Sequence, residues 1–94
     1  MEEELNIIIT ELNRCVEAKE IELENCVNSN SYRDGYLRNS RRAIETLASF
    51  IPELTKTASE DPTQSRRIIS DFRQSAANIR DDIAMINCNN VIAQ

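Results

Sequence analysis

The sequence predicts an all-α protein, an antiparallel up-down-up bundle of three helices with coiled-coil-like packing and a second helix kinked at Pro52. The 94 residues include one Gly, two Pro, two Phe, two Tyr and no Trp, too few turn and strand formers for a β-sandwich or barrel. Three segments each carry an apolar stripe whose spacing alternates between three and four residues, the pattern of a helix with one packed face. Residues 1–94 are therefore predicted to form a single helical domain.

The first helix is predicted over about residues 2–28. Its stripe consists of Leu5, Ile9, Leu12, Val16, Lys19, Leu23 and Cys26, in which Lys19 is the polar exception. The polar segment NSNS at residues 28–31 separates this helix from the next one.

The second helix is predicted over about residues 31–58, with a bend near Pro52. Its stripe consists of Leu37, Ser40, Ile44, Leu47, Ile51, Leu54 and Ala58, so it passes Pro52 without losing phase. A new helix starting at Pro52 would need Ile51 as its N-cap, and Ile has no side-chain acceptor for the free amides. We therefore predict a kinked continuous helix, with a true break at Pro52 as the alternative.

The third helix is predicted over about residues 62–90. Asp61 is suited to be its N-cap, Pro62 occupies the first helical position, and Gln64 follows the cap by three residues. Its stripe consists of Ile69, Phe72, Ala76, Ile79, Ile83 and Ile86. Short loops between long helices make neighbours antiparallel, which leads to the up-down-up arrangement.

The net charge of −5 is unevenly distributed. Residues 1–30 carry eight Glu against Arg14 and Lys19, a net −6, while residues 31–59 carry five basic and three acidic side chains, a net +2. The acidic and basic segments are expected to form ion pairs within the bundle or across an oligomer. The net negative charge of the whole chain disfavours nucleic acid as a partner.

The three cysteines, Cys15, Cys26 and Cys88, are expected to be reduced thiols. Cys15 and Cys26 are too far apart to pair within one helix, at roughly 16 Å for eleven residues. No basic leader and no apolar run of membrane-spanning length is visible, so we expect a cytoplasmic protein, or a nuclear one in a eukaryote, that is not secreted and has no membrane partner.

The sequence carries no signature of an enzyme. It contains no His, which removes the commonest general base and metal ligand, and its single glycine excludes the known phosphate-binding loops. Clustered carboxylates on helices are ordinarily solvated surface. We predict a non-enzymatic protein with no metal, no cofactor and no small-molecule substrate.

Apolar residues outside the stripes indicate a second contact surface. Helix 1 carries Ile7 and Ile21 opposite its stripe, and helix 3 carries a second line of small or apolar residues. A monomeric bundle has one interior, so a contiguous second face favours an interface with a partner or a second copy. The residues predicted to form this interface are Ile7, Ile21, Ala77, Ala84, Cys88 and Val91.

These features predict a protein-protein interaction module that acts by helix-on-helix docking, as a homodimer or as a subunit of a larger assembly. Its class includes adaptor or scaffold subunits, co-chaperones and small inhibitors. The alternative is a dimeric nucleic-acid-binding regulator that uses Arg38, Arg41 and Arg42 of helix 2. Ion pairing of these Arg residues with the acidic first helix is the favoured interpretation, because no aromatic residue interleaves with them.

Overall fold

A computed structural model of the protein describes residues 1–26 and 30–87, and its account of side chains omits residues 30–33. The described chain is all-helical and contains no strand. Its elements are α1 (Glu2–Leu23), α2 (Asn30–Ser49), α3 (Ile51–Glu60), a 3₁₀ turn (Pro62–Gln64) and α4 (Ser65–Ala84). Because α2 and α3 follow each other as one bent helix, three helical rods pack against one another, which confirms the predicted all-α class.

The bend between α2 and α3 is localised at Phe50. This residue interrupts the helix assignment, but its φ of −82° and ψ of −12° remain helical. The Phe50 N–H donates to the Leu47 carbonyl at 3.2 Å, three residues back instead of four. Pro52 has no N–H, and its ring crowds the carbonyl four residues earlier, which is the physical cause of the bend. The predicted kink, and not a break, is what the structure shows.

Three apolar clusters fill the interior. The first holds Leu5, Ile51 and Phe72, the second is built around Leu12, Val16, Leu37, Ile44, Ala76 and Ile83, and the third holds Leu23, Cys26 and Ile86 with Tyr36 packed against it. The first two clusters each take residues from α1, from the bent helix and from α4. The stripes read from the sequence therefore form the core.

One member of the α4 stripe differs from expectation. Ile68 is buried and Ile69 is half-buried. The two residues flank the centre of the stripe on opposite sides, because successive residues are 100° apart on a helix. Ile68 turns to the interior, whereas Ile69 lines a groove beside α1.

Both outer helices end earlier than predicted. After Leu23 the hydrogen bonds reach back three residues instead of four, which ends α1. The Glu24 N–H donates to the Ile21 carbonyl at 3.3 Å, and the Cys26 N–H donates to the Leu23 carbonyl at 3.0 Å. Cys26, which follows this turn, belongs to the third cluster, and positions 27 and 28 of the predicted helix lie outside the described residues. In the same way α4 ends at Ala84, and the predicted continuation over 88–90 lies outside the described residues.

Asp61 caps the last helical segment as predicted. Its carboxylate accepts hydrogen bonds from the Thr63 hydroxyl at 2.6 Å and from the Thr63 backbone N–H at 3.2 Å. The bond from the Thr63 hydroxyl is the main reason that the pKa of Asp61 lies below its ordinary value. The first turn after the cap is 3₁₀, and regular α-helix begins at Ser65.

Candidate functional site

An open surface of the bundle lies between α1 and α4. Its first part, which we call the basic groove, has a volume of about 680 Å³ and is lined by residues that include Glu4, Arg66, Ile69, Arg73 and Ala77. Its second part, the apolar groove, has a volume of about 430 Å³ and is lined by residues that include Cys15, Ala18, Lys19, Ile83 and Ala84. Arg80 borders both grooves, so they form one continuous surface, the α1/α4 face.

The residues predicted as an interface are distributed over and beside this face. Ala77 is half-buried in the basic groove, and Ala84 is exposed in the apolar groove. Ile7 and Ile21 are 51% and 65% exposed on α1, and neither lines the basic or the apolar groove. Cys88 and Val91 lie outside the described residues. The structure thus brings Ala77 and Ala84 together along one face, with Ile7 and Ile21 exposed on the helix that forms its other side.

Lys19, the polar exception in the α1 stripe, is accommodated at the edge of the apolar groove. Its side chain is only 12% exposed, and its ammonium group forms an ion pair with Glu22 at 2.5 Å. A long aliphatic stem can cover apolar surface while its charge stays at the edge. Lys19 therefore lies among apolar groove residues without breaking the packed face of α1.

Three arginines of α4 form a line that sequence reasoning missed. Arg66, Arg73 and Arg80 are seven residues apart, which places them on one side of the helix at intervals of about 10.5 Å. All three are exposed, and none forms an ion pair or side-chain hydrogen bond with another described residue. The signal was present in the sequence as the same seven-residue period that identified the apolar stripes.

The arginines predicted for the alternative function have a different environment. Arg41 forms an ion pair with Glu20 of α1. Arg38 and Arg41 share a groove with the carboxylates of Glu20, Glu24 and Asp34, while Arg42 is exposed outside it. The structure therefore does not join Arg38, Arg41 and Arg42 into a basic patch, and ion pairing with α1 accounts for Arg41.

The cysteines differ from the expectation of three reduced thiols. Cys15 is free and half-buried beside the apolar groove. Cys26 is disulfide-bonded, so the expectation is wrong for this residue. The remaining cysteine of the sequence, Cys88, lies outside the described residues. Sequence reasoning missed the bond because it depends on which segment packs near Cys26, and its cluster includes Ile86 from the far end of the chain.

Two further kinds of site are absent from the described residues. No three side chains of the Cys, Asp or Glu type lie close enough together there to hold a metal ion. No described helix has the length and the apolar content that crossing a bilayer requires.

Comparison of the chain with protein-family models, curated proteins and solved structures finds no match.

Proposed function

We propose that the protein is a non-enzymatic protein-protein interaction module that docks, helix on helix, through the α1/α4 face. The observation that carries this proposal is that the face is open along both helices and is lined by small side chains, with exposed large apolar side chains on the same helix α1. Ala18, Ala77 and Ala84 line its grooves, and Ile7 and Ile21 are exposed on α1. Small side chains let a second helix approach closely, while exposed large apolar groups favour burial against a partner.

The proposed arrangement of the bundle is up-down-up with shallow, coiled-coil-like crossings. The order of the clusters supports it. From the first cluster to the third, the residue numbers rise from Leu5 to Leu23 in α1. They rise from Phe72 of α4 to Ile86 just after α4, and they fall from Ile51 to Tyr36 in the bent helix. In such a bundle α1 and α4 are parallel neighbours, so the face between them extends along both helices.

The partner is proposed to be a second copy or another protein, and the class includes adaptor or scaffold subunits, co-chaperones and small inhibitors. Nucleic acid has less support as a partner, because Arg41 is paired with Glu20 and Arg38 lines a groove that three carboxylates also line. A cytoplasmic or nuclear location was expected with reduced thiols. The disulfide at Cys26 favours an oxidising environment instead, so the oxidation state of Cys26 in the cell decides between the two.

The substitution Ala84→Glu tests the proposed face. Ala84 is exposed in the apolar groove, so a glutamate there disrupts docking but leaves the core intact. Size exclusion with light scattering, and capture of partners from the native host, should show loss of assembly with an unchanged helical circular dichroism spectrum.

The matched control is Asn78→Glu, which introduces the same side chain at an exposed position of α4 outside both grooves. It should assemble like the wild type. A wild-type chain that is monomeric at every accessible concentration and captures no partner contradicts the proposal. Unchanged assembly of the Ala84 variant shows that docking does not use this face.

A further inference from the structure

The α1/α4 face carries charges of opposite sign on its two sides. On the α1 side, Glu4 and Glu11 are seven residues apart, and Ala18 continues the same line into the apolar groove. On the α4 side lie Arg66, Arg73 and Arg80. We call these two lines the acidic rim (Glu4 and Glu11) and the basic rim (Arg66, Arg73 and Arg80).

Neither rim is neutralised within the described chain. Glu4 and Glu11 are exposed and, like the three arginines, form no ion pair or side-chain hydrogen bond with a described residue. Glu4 lines the basic groove together with Arg66 and Arg73, yet it lies beyond the 4 Å limit of an ion pair with either. Five charges thus lie along one face without an ion-pair partner among the described residues. Arg41 and Arg67 elsewhere on the bundle are paired, and Lys19 of the apolar groove pairs with Glu22 on its own helix.

We propose that the occupant of this face is a second copy of the same chain, related by a two-fold axis parallel to the helices, so that α1 of each copy packs on α4 of the other. This inference rests on the proposed function and adds the partner and its orientation. Charge complementarity selects the geometry. A two-fold axis along the helices brings each acidic rim onto the partner's basic rim, whereas one perpendicular to them would stack α1 on α1 and α4 on α4, with like charges opposed.

The register of the rims fits this geometry. Glu4 shares the basic groove with Arg66 and Arg73, so its level along the bundle is near these two residues. A two-fold axis along the helices preserves that level, so each copy presents Glu4 near Arg66 and Arg73 of its partner. Because both rims have seven-residue spacing, Glu11 then lies near the level of Arg73 and Arg80 of the partner.

The size of the face predicts a reversible dimer. With 22 residues in α1 and 20 in α4, the helices are about 30 Å long, and two neighbouring helices are about 20 Å wide. The face therefore covers roughly 600 Å² per copy, somewhat below the roughly 800 Å² per partner of a standard interface. Exposed ion pairs contribute little affinity, so the apolar groove supplies most of it and the rims set orientation and salt dependence.

The experiment is a charge exchange followed by sedimentation equilibrium. One variant reverses the basic rim (Arg73→Glu/Arg80→Glu), and the other reverses the acidic rim (Glu4→Arg/Glu11→Arg). All four positions are exposed and form no ion pair with a described residue, so the fold should persist, which circular dichroism checks. We expect each variant alone to dimerise at least about 10-fold more weakly than the wild type, and an equimolar mixture to dimerise like the wild type, because both rim pairs are then complementary.

Three results overturn the inference. In the first, the wild type dimerises but the mixture of the two variants does not, which leaves the proposed function standing with a different surface or orientation. In the second, the basic-rim variant binds wild type more tightly than wild type binds itself, which indicates α4 packed on α4. In the third, the wild type is monomeric at low salt and high concentration. Comparing the partners that the wild type and the Ala84→Glu variant capture then tests the proposed function separately.

Discussion

Replacing Leu5 with alanine tests the packing at the bend. Leu5 is fully buried, and its cluster joins α1 to Ile51 just after the bend and to Phe72 of α4. Leu47 and Leu54, on either side of the bend, also pack against this cluster. Leu5 is therefore the buried α1 member of a cluster that both arms of the bent helix and α4 share.

The magnitude follows from the groups removed. Leu→Ala deletes three carbon groups, which at about 0.8 kcal/mol for each buried methylene costs about 2.4 kcal/mol of transfer free energy. If the neighbours collapse incompletely and leave a cavity of about 50 Å³, a further 1 kcal/mol or so is lost at about 24 cal/mol per Å³. The expected decrease in the free energy of unfolding is therefore about 3 to 4 kcal/mol, which for a domain of this size lowers Tm by more than about 10 °C.

The assay is urea unfolding followed by circular dichroism at a concentration low enough to keep the chains monomeric. The matched control is Ile7→Ala on the same helix, where the side chain is already half exposed and little cavity forms, so the cost should stay below about 1 kcal/mol. A loss below about 1 kcal/mol for Leu5→Ala, or equal losses for the two variants, would refute the cluster at the bend.

Two further predictions concern single groups. Because hydrogen bonds from Thr63 hold the pKa of Asp61 below its ordinary 3.8, the charged carboxylate stabilises the folded state above that pH, and this contribution disappears as the pH falls through the lower folded pKa. Wild type should thus lose more stability than Asp61→Asn between pH 5 and pH 2 in acid titrations of thermal unfolding, and parallel curves would contradict the role of this cap. Alkylation of denatured, unreduced protein should modify Cys15 but not Cys26, and only after reduction should both be modified. Peptide mapping should test Cys88 as the partner of Cys26. Modification of Cys26 without reductant would show that it is a free thiol.

Features that depend on neighbours in the sequence were predictable. The alternation of three- and four-residue spacing identified Leu12, Ile44 and Ile83 as core positions, because a helix brings such residues to one side whatever lies opposite. The N-cap at Asp61 and the bend at Pro52 are equally local, since each depends on backbone groups within four residues.

Features that depend on long-range packing were not predictable. The end of α1 at Leu23 and the bonded state of Cys26 both involve the third cluster, in which Ile86 comes from the far end of the chain. The candidate site was predicted in part. Ala77 and Ala84 were predicted from their spacing. The basic rim was not predicted, because its three arginines are seven residues apart in α4, whereas the arginines of helix 2 lie close together in the sequence.

By itself, the sequence determined that this protein is helical, which face of each helix is buried, and where the second helix bends. These properties follow from helical periodicity, side-chain capping and the missing N–H of proline, which act over a few residues. The tertiary structure alone decided that Arg41 pairs with Glu20, and that Glu4 and Arg73 line one groove without an ion pair. The physical reason is that an ion pair depends on distances of a few ångströms between helices, and these are set only when the three apolar stripes pack against one another.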